Sequence, residues 1–142
     1  MSLQKIVITE FMDQAAVDAL RTDFEVLYDP GLVDDGARLH QAVATADAVI
    51  VRNRTQVRGE LLAACTKARV IGRLGVGLDN IDVEGCKARG MVVIPATGAN
   101  ALAVAEYVTA TAMLLLRGVY LSSAAVAAGQ WPRAALSHGR ET

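Results

Sequence analysis

Residues 70–95 read VIGRLGVGLDNIDVEGCKARGMVVIP, and the order of features within them decides the fold. The branched, apolar start at 70–72 predicts a buried strand. A turn with glycines at 75 and 77 follows, and 83–89 then has the spacing of a short helix closed by Gly90. Residues 91–94 return to strand character and Pro95 stops them. Strand, turn, helix and strand in so few residues predict one βαβ unit, with its two strands parallel.

The same unit repeats toward the amino terminus. Strands are predicted at 5–9, 24–28 and 48–51, and helices at 12–21, 37–46 and 59–65, with Asp29-Pro30-Gly31 as a breaker. The expectation is an α/β fold with an open parallel sheet of about five strands, apolar throughout because helices cover both faces. The composition agrees: 53% of the 142 residues are apolar and 20% are charged, which excludes a disordered or fibrous chain. Fourteen basic against 15 acidic residues give a net charge of -1, so neither nucleic acid nor a membrane is expected as a partner. Cys65 and Cys86 have no nearby Cys or His, so no metal site or disulfide is expected. They read as small packed side chains. The start has no signal-peptide pattern, and a reducing, cytoplasmic location is expected.

After Pro95 the character changes. Residues 101–116 carry Glu106 as their single charge. A membrane span needs about 20 apolar residues and tolerates a carboxylate poorly, so a helix packed between domains or subunits is the better reading. Glu106, if buried there, requires an Arg or a backbone partner. A second helix is predicted over 119–128, and an irregular tail from Trp131 onward.

Few residues suit chemistry. Gly75, Val76 and Gly77 follow a strand at the carboxyl edge of the sheet, where open α/β sheets bind ligands. Their amides can point at an anion, or the glycines can simply make a tight turn with Asp79, Asn80 and Asp82 capping the next helix. The spacing is no dinucleotide fingerprint, because Asn80 stands where a third glycine belongs. Arg52 and Arg54 end another predicted strand and can grip a carboxylate, sulfonate or phosphate, or remain solvated loop residues. Asn100 is a natural N-cap for the long helix. His40 reads as a surface helix residue and His138 as part of a flexible tail, while Ser122 and Ser123 lack a nucleophile elbow.

The segments VRNRT (51–55), VIGRLGVGLDNIDVEGCKARG (70–90), VVIPATGANALAVAEYV (92–108) and LLLRG (114–118) together resemble the D-2-hydroxyacid dehydrogenases, most closely the branch around D-3-phosphoglycerate dehydrogenase. The resemblance implies a flavodoxin-like substrate domain over 1–98. Residues 99–142 would then be linker helices that open an NAD-binding Rossmann domain and form a homodimer interface through 99–128. It further implies that the amides of Gly75, Val76 and Gly77 hold a substrate carboxylate, that Arg52 and Arg54 address a distal anionic group, that Val76 approaches the nicotinamide of NAD, and that Asn100 lies at the interdomain cleft.

The family's catalytic Arg, Glu and His and its glycine-rich phosphate loop match nothing in this sequence. The implied reading is therefore the amino-terminal part of an NAD-dependent dehydrogenase for a small anionic hydroxy or keto acid, inactive on its own. A 3-phosphoglycerate-like or sulfolactate-like acid is the expected substrate. A stand-alone acid-binding or oligomerisation module is the alternative, and a polar face on helix 101–116 would distinguish it.

Overall fold

The computed structural model describes residues 3–137. Its contacts divide the chain into two compact units, Met1–Gly98 and Ala99–Thr142. The first is built from β1 (Lys5–Ile8), α1 (Gln14–Arg21), β2 (Glu25–Tyr28), α2 (Gly36–Ala44), β3 (Ala48–Val51), α3 (Gly59–Ala64), β4 (Val70–Arg73), α4 (Val83–Ala88) and β5 (Val92–Pro95). Every strand pairing is parallel, and the strand order is β2-β1-β3-β4-β5. That is the flavodoxin-like order, which reverses direction between β1 and β3. The expected α/β architecture with five parallel strands is thus present.

The helices start where carboxylates can take their first unpaired amides. Asp13 accepts from Ala15 N–H at 3.0 Å, Asp35 from Arg38 N–H at 3.1 Å, and Asp82 from Gly85 N–H at 2.9 Å. A short 3-10 turn at Leu32–Asp34 follows the Asp29-Pro30-Gly31 breaker. On one face of the sheet, Val7, Val49, Val51 and Ile71 pack against Leu39 and Val43 of α2, Leu61 and Leu62 of α3, and Cys86 of α4. Both cysteines are buried and free, and burial pushes the Cys65 thiol up to about 11.

The other face departs from expectation. Here Ile6, Ile8 and Val17 form a small core with residues of α1, β2 and β3. Among the described helices of the first unit only α1 packs on this side, and Val92 and Ile94 of β5 are 58% and 54% exposed. A shallow groove of about 200 Å³ opens beside them, lined by Ile50, Gly72, Leu74 and Pro95 among others. The expectation of two fully covered faces is therefore corrected. One short helix cannot span five strands.

The second unit holds α5 (Ala101–Arg117), α6 (Ser123–Ala127) and α7 (Arg133–Leu136). Asn100 occupies the N-cap position of α5, yet its side chain makes no capping bond. The helix ends at Gly118, whose φ of 63° carries the chain into the left-handed region. The expected second long helix is replaced by a 3-10 turn at Val119–Ser122 and the five-residue α6. Two consecutive serines explain the break, because Ser123 Oγ donates to the Tyr120 carbonyl at 3.1 Å and competes with the helical ladder. Arg133–Leu136 places a helical turn where an irregular tail was expected, and His138 lies outside the described residues.

Glu106 is exposed, so the partner that burial would demand is not required. Most of the large apolar side chains of α5 are exposed too, including Leu102, Tyr107, Met113 and Leu115. Among the described residues no single helix is long and apolar enough to cross a membrane, and α5 reaches that threshold only together with α6 across a 64° bend.

The two faces of the sheet should respond differently to mutation. Ile71 is fully buried in the central strand β4, so Ile71→Ala should cost about 2–5 kcal/mol in urea unfolding. Val92→Thr on the uncovered face should stay within about 0.5 kcal/mol of the native chain.

Candidate functional site

The carboxyl ends of β1, β3 and β4 bring three loops to one edge of the sheet. Leu74 N–H donates to the Val51 carbonyl at 2.9 Å, so the loops after β3 and β4 leave from adjacent points. At the β1/β3 reversal lies a cavity of about 180 Å³ lined by Glu10, Phe11, Pro30, Val33, Arg52, Asn53 and Arg54. The Arg52 guanidinium stands 6.0 Å from the Phe11 ring centroid, in reach of a cation–π contact.

Glu10 organises this edge. Its side chain is buried, and its Oε1 accepts from Arg52 N–H and Thr55 N–H, both at 2.9 Å. Oε2 accepts from Asn53 N–H at 3.2 Å and Arg54 N–H at 3.0 Å. Burial works against the charge. The backbone amides of Thr55, Arg54 and Arg52 and the Thr55 side chain outweigh it and hold the carboxyl down, from an ordinary 4.5 to about 2. Beneath the loop, Thr9 and Thr55 share a buried hydroxyl–hydroxyl bond of 2.8 Å.

Asn80 joins this loop to the glycine turn. Its amide nitrogen donates to the Thr55 carbonyl at 2.8 Å and the Arg52 carbonyl at 3.3 Å. Its backbone carbonyl accepts from Val57 N–H at 2.9 Å, while its side-chain Oδ1 has no partner among the described residues. Asp82 alone of the three expected caps performs that task, while Asn80 is a buried strut and the Asp79 carbonyl accepts from Arg58. Thr55, Val57 and Ile81 are buried around this junction.

The glycine turn is shaped by Arg73. Gly75 has φ 152°, and a β-carbon there would fall 1.5 Å from Arg73 Nη1. Only glycine leaves room for that guanidinium, whose buried Nε has no hydrogen-bond partner among the described residues. The Gly75 N–H is already given to the Arg73 carbonyl at 2.8 Å. Gly75 therefore contributes shape. The Val76 and Gly77 N–H groups, by contrast, meet no acceptor among the described residues.

Of the expected site residues, Arg52, Arg54, Gly75, Val76 and Gly77 all lie on this edge. Arg54 does not reach out freely: both terminal nitrogens of its guanidinium engage Asp34, one of them at 3.3 Å. Asn100 belongs to the second unit, at the start of α5. Glu10, Asn80 as a strut, Arg73 and Asp34 were missed. A carboxylate directly after a buried strand, on the ligand-binding edge, was the available signal for Glu10.

An open parallel sheet of this order, with the loops after β1, β3 and β4 at its carboxyl edge, defines a flavodoxin-like α/β domain. Residues 6–129 match the D-isomer specific 2-hydroxyacid dehydrogenase catalytic domain, and the chain belongs to that family. It is 53% identical over 140 residues to an (S)-sulfolactate dehydrogenase of Chromohalobacter salexigens, covering 99% of this chain and 45% of the relative. A D-3-phosphoglycerate dehydrogenase of Mycobacterium tuberculosis is 36% identical over 137 residues, 96% of this chain and 26% of the relative. Among solved structures, the PH0520 protein of Pyrococcus horikoshii superposes with a TM-score of 0.80 at 26% identity, over all of this chain and 42% of that one. NAD+-bound 3-phosphoglycerate dehydrogenase of Entamoeba histolytica gives a TM-score of 0.67 at 29% identity, over 82% and 40%. The chain thus spans less than half the length of these relatives.

A dinucleotide needs a seat for its pyrophosphate, ordinarily amides at a helix N-terminus directly after a glycine turn. The turn at Gly75–Gly77 is not followed by one, since α4 begins at Val83 and its first amides face Asp82. The described residues do not fit the whole dinucleotide. Val76, 51% exposed, offers at most one apolar contact.

Glu10 should dominate the acid stability of this edge. A carboxyl with a depressed folded pKa stabilises above its unfolded value and loses that contribution as pH falls through the folded one. The native chain should therefore lose stability between about pH 4.5 and 2. Glu10→Gln should cost about 1–3 kcal/mol at pH 7 and flatten that acid limb in urea titrations.

Proposed function

We propose that this chain carries the acid-binding part of an NAD-dependent D-2-hydroxyacid dehydrogenase, whose substrate is a small hydroxy or keto acid with a second anionic group. The observation that supports it best is the pair of unpaired Val76 and Gly77 amides, set on the same sheet edge as Arg52. Those amides receive the substrate carboxylate, and Arg52 addresses the distal anion. On this reading Val76 also approaches the nicotinamide. The NAD dependence is part of this proposal, and we assign no hydride-transfer step to residues of this chain.

The test is a titration of the 15N-labelled chain with sulfolactate and with 3-phosphoglycerate. Amide shifts at Val76, Gly77 and Arg52 are expected, and Arg52→Ala should weaken binding by roughly tenfold, the value of one charge-assisted hydrogen bond. Absence of any shift at Val76 and Gly77 would sink the assignment.

The exposed apolar side chains of α5 favour a homodimer through 99–128 over a stand-alone module. Sedimentation should give a dimer of the 15.0 kDa chain. Leu115→Glu should shift it to monomer without changing the amide spectrum of residues 5–95.

A further inference from the structure

The charge arrangement around the distal end of the site distinguishes between anions of different charge. The four amides of residues 52–55 would make a natural nest for a phosphate, but all four point at the buried Glu10 carboxylate. A ligand in the cavity beside Phe11 and Arg52 therefore meets no free backbone donor from that loop. It has two guanidinium groups to meet. Arg54 holds Asp34 with both of its terminal nitrogens, whereas no ion pair is present for Arg52 among the described residues. Two cations here face two carboxylates, Glu10 below and Asp34 at the rim. The neighbouring Arg38 does not alter this balance, because it is paired with Asp29 at 2.7 Å.

We infer that this end of the site is built for a singly charged anion, with Asp34 as the residue that withholds Arg54 from the ligand. The inference rests on the acid-binding reading above and narrows it to a sulfonate or carboxylate as the distal group. A phosphate monoester carries about -1.5 to -2 at pH 7. One of its charges can pair with Arg52, while the remainder is left beside Glu10 and Asp34 without a cation. A sulfonate has only the first charge to satisfy. Shape does not separate the two groups, since both are tetrahedral and present three oxygens, so charge is the property that the site can read.

Asp34 is an exposed side chain (61%), so Asp34→Asn should leave the fold intact and free Arg54. Dissociation constants for sulfolactate and 3-phosphoglycerate, measured by amide shifts of the full 142-residue chain at pH 7.5 and low salt, test this directly. The native chain should favour sulfolactate. Asp34→Asn should tighten 3-phosphoglycerate by roughly three- to fivefold, the scale of one exposed ion pair, and change sulfolactate by less than about twofold. The double variant Asp34→Asn with Arg54→Ala should lose that gain, and Glu84→Gln, which raises the net charge by the same unit on α4, should not reproduce it. If both acids bind with the same ratio in the native chain and in Asp34→Asn, the charge inference is overturned while the acid-binding reading stands. If neither acid binds, both are overturned together.

Discussion

One buried carboxylate sets the geometry on which the carboxyl edge of the sheet depends. Four successive backbone amides, from Arg52 to Thr55, cannot all find partners in a loop that leaves the sheet, and leaving them dry would cost more than the loop can bear. Glu10 reaches them from the end of the neighbouring strand β1 and accepts all four. Asn80 completes the arrangement from the opposite side by donating to two carbonyls of the same loop. The loop is thus held through its donors by one strand end and through its acceptors by the glycine turn. Neither tie uses the guanidinium groups, so the side chains most suited to ligand contact are free of any structural duty to this junction.

Much of the scaffold was legible because its signals are local. Branched apolar runs, the Asp29-Pro30-Gly31 breaker, the Asp82 cap and Gly90 after the helix over 83–89 each act within a few residues, and the parallel sheet followed from their alternation. What escaped depends on residues far apart in sequence. Glu10 meets its partners more than forty positions away, so its place directly after a buried strand could mark it as a candidate but could not name the four amides it accepts. Arg54 looked free because Asp34 lies in another loop. Asn80 was read as a cap together with Asp79 and Asp82, although its amide faces inward to the Arg52 loop. The uncovered face of β5 was hidden for a different reason: an apolar strand reads the same whether a helix lies over it or not.

The two units also carry their apolar surface differently. In the first, the large side chains of the central strands are enclosed, and what remains open includes β5 with the groove beside it and, outside them, Phe11 and Val76. In the second, α5 presents apolar side chains around nearly its whole circumference, an arrangement that water does not favour for an isolated helix. Such a helix is stabilised by what packs on it. Its sequence is consistent with that role, since Ala, Leu and Met combine high helix propensity with adaptable contact area.

The outer rim of the sheet has a further property that follows from where β5 ends. Along a parallel edge strand, alternate amides point inward to the ladder and outward to solvent. Val92 N–H donates to the Arg69 carbonyl and Ala96 N–H to that of Arg73, so the residues between them at 93 and 95 face outward. Residue 95 is proline and has no hydrogen to give. Within β5 the free edge therefore presents the Val93 amide as its sole outward donor, and another strand trying to add there would find one of its two donors missing. The apolar, half-uncovered flank of this protein is protected from growing into a larger sheet by the same residue that ends its last strand.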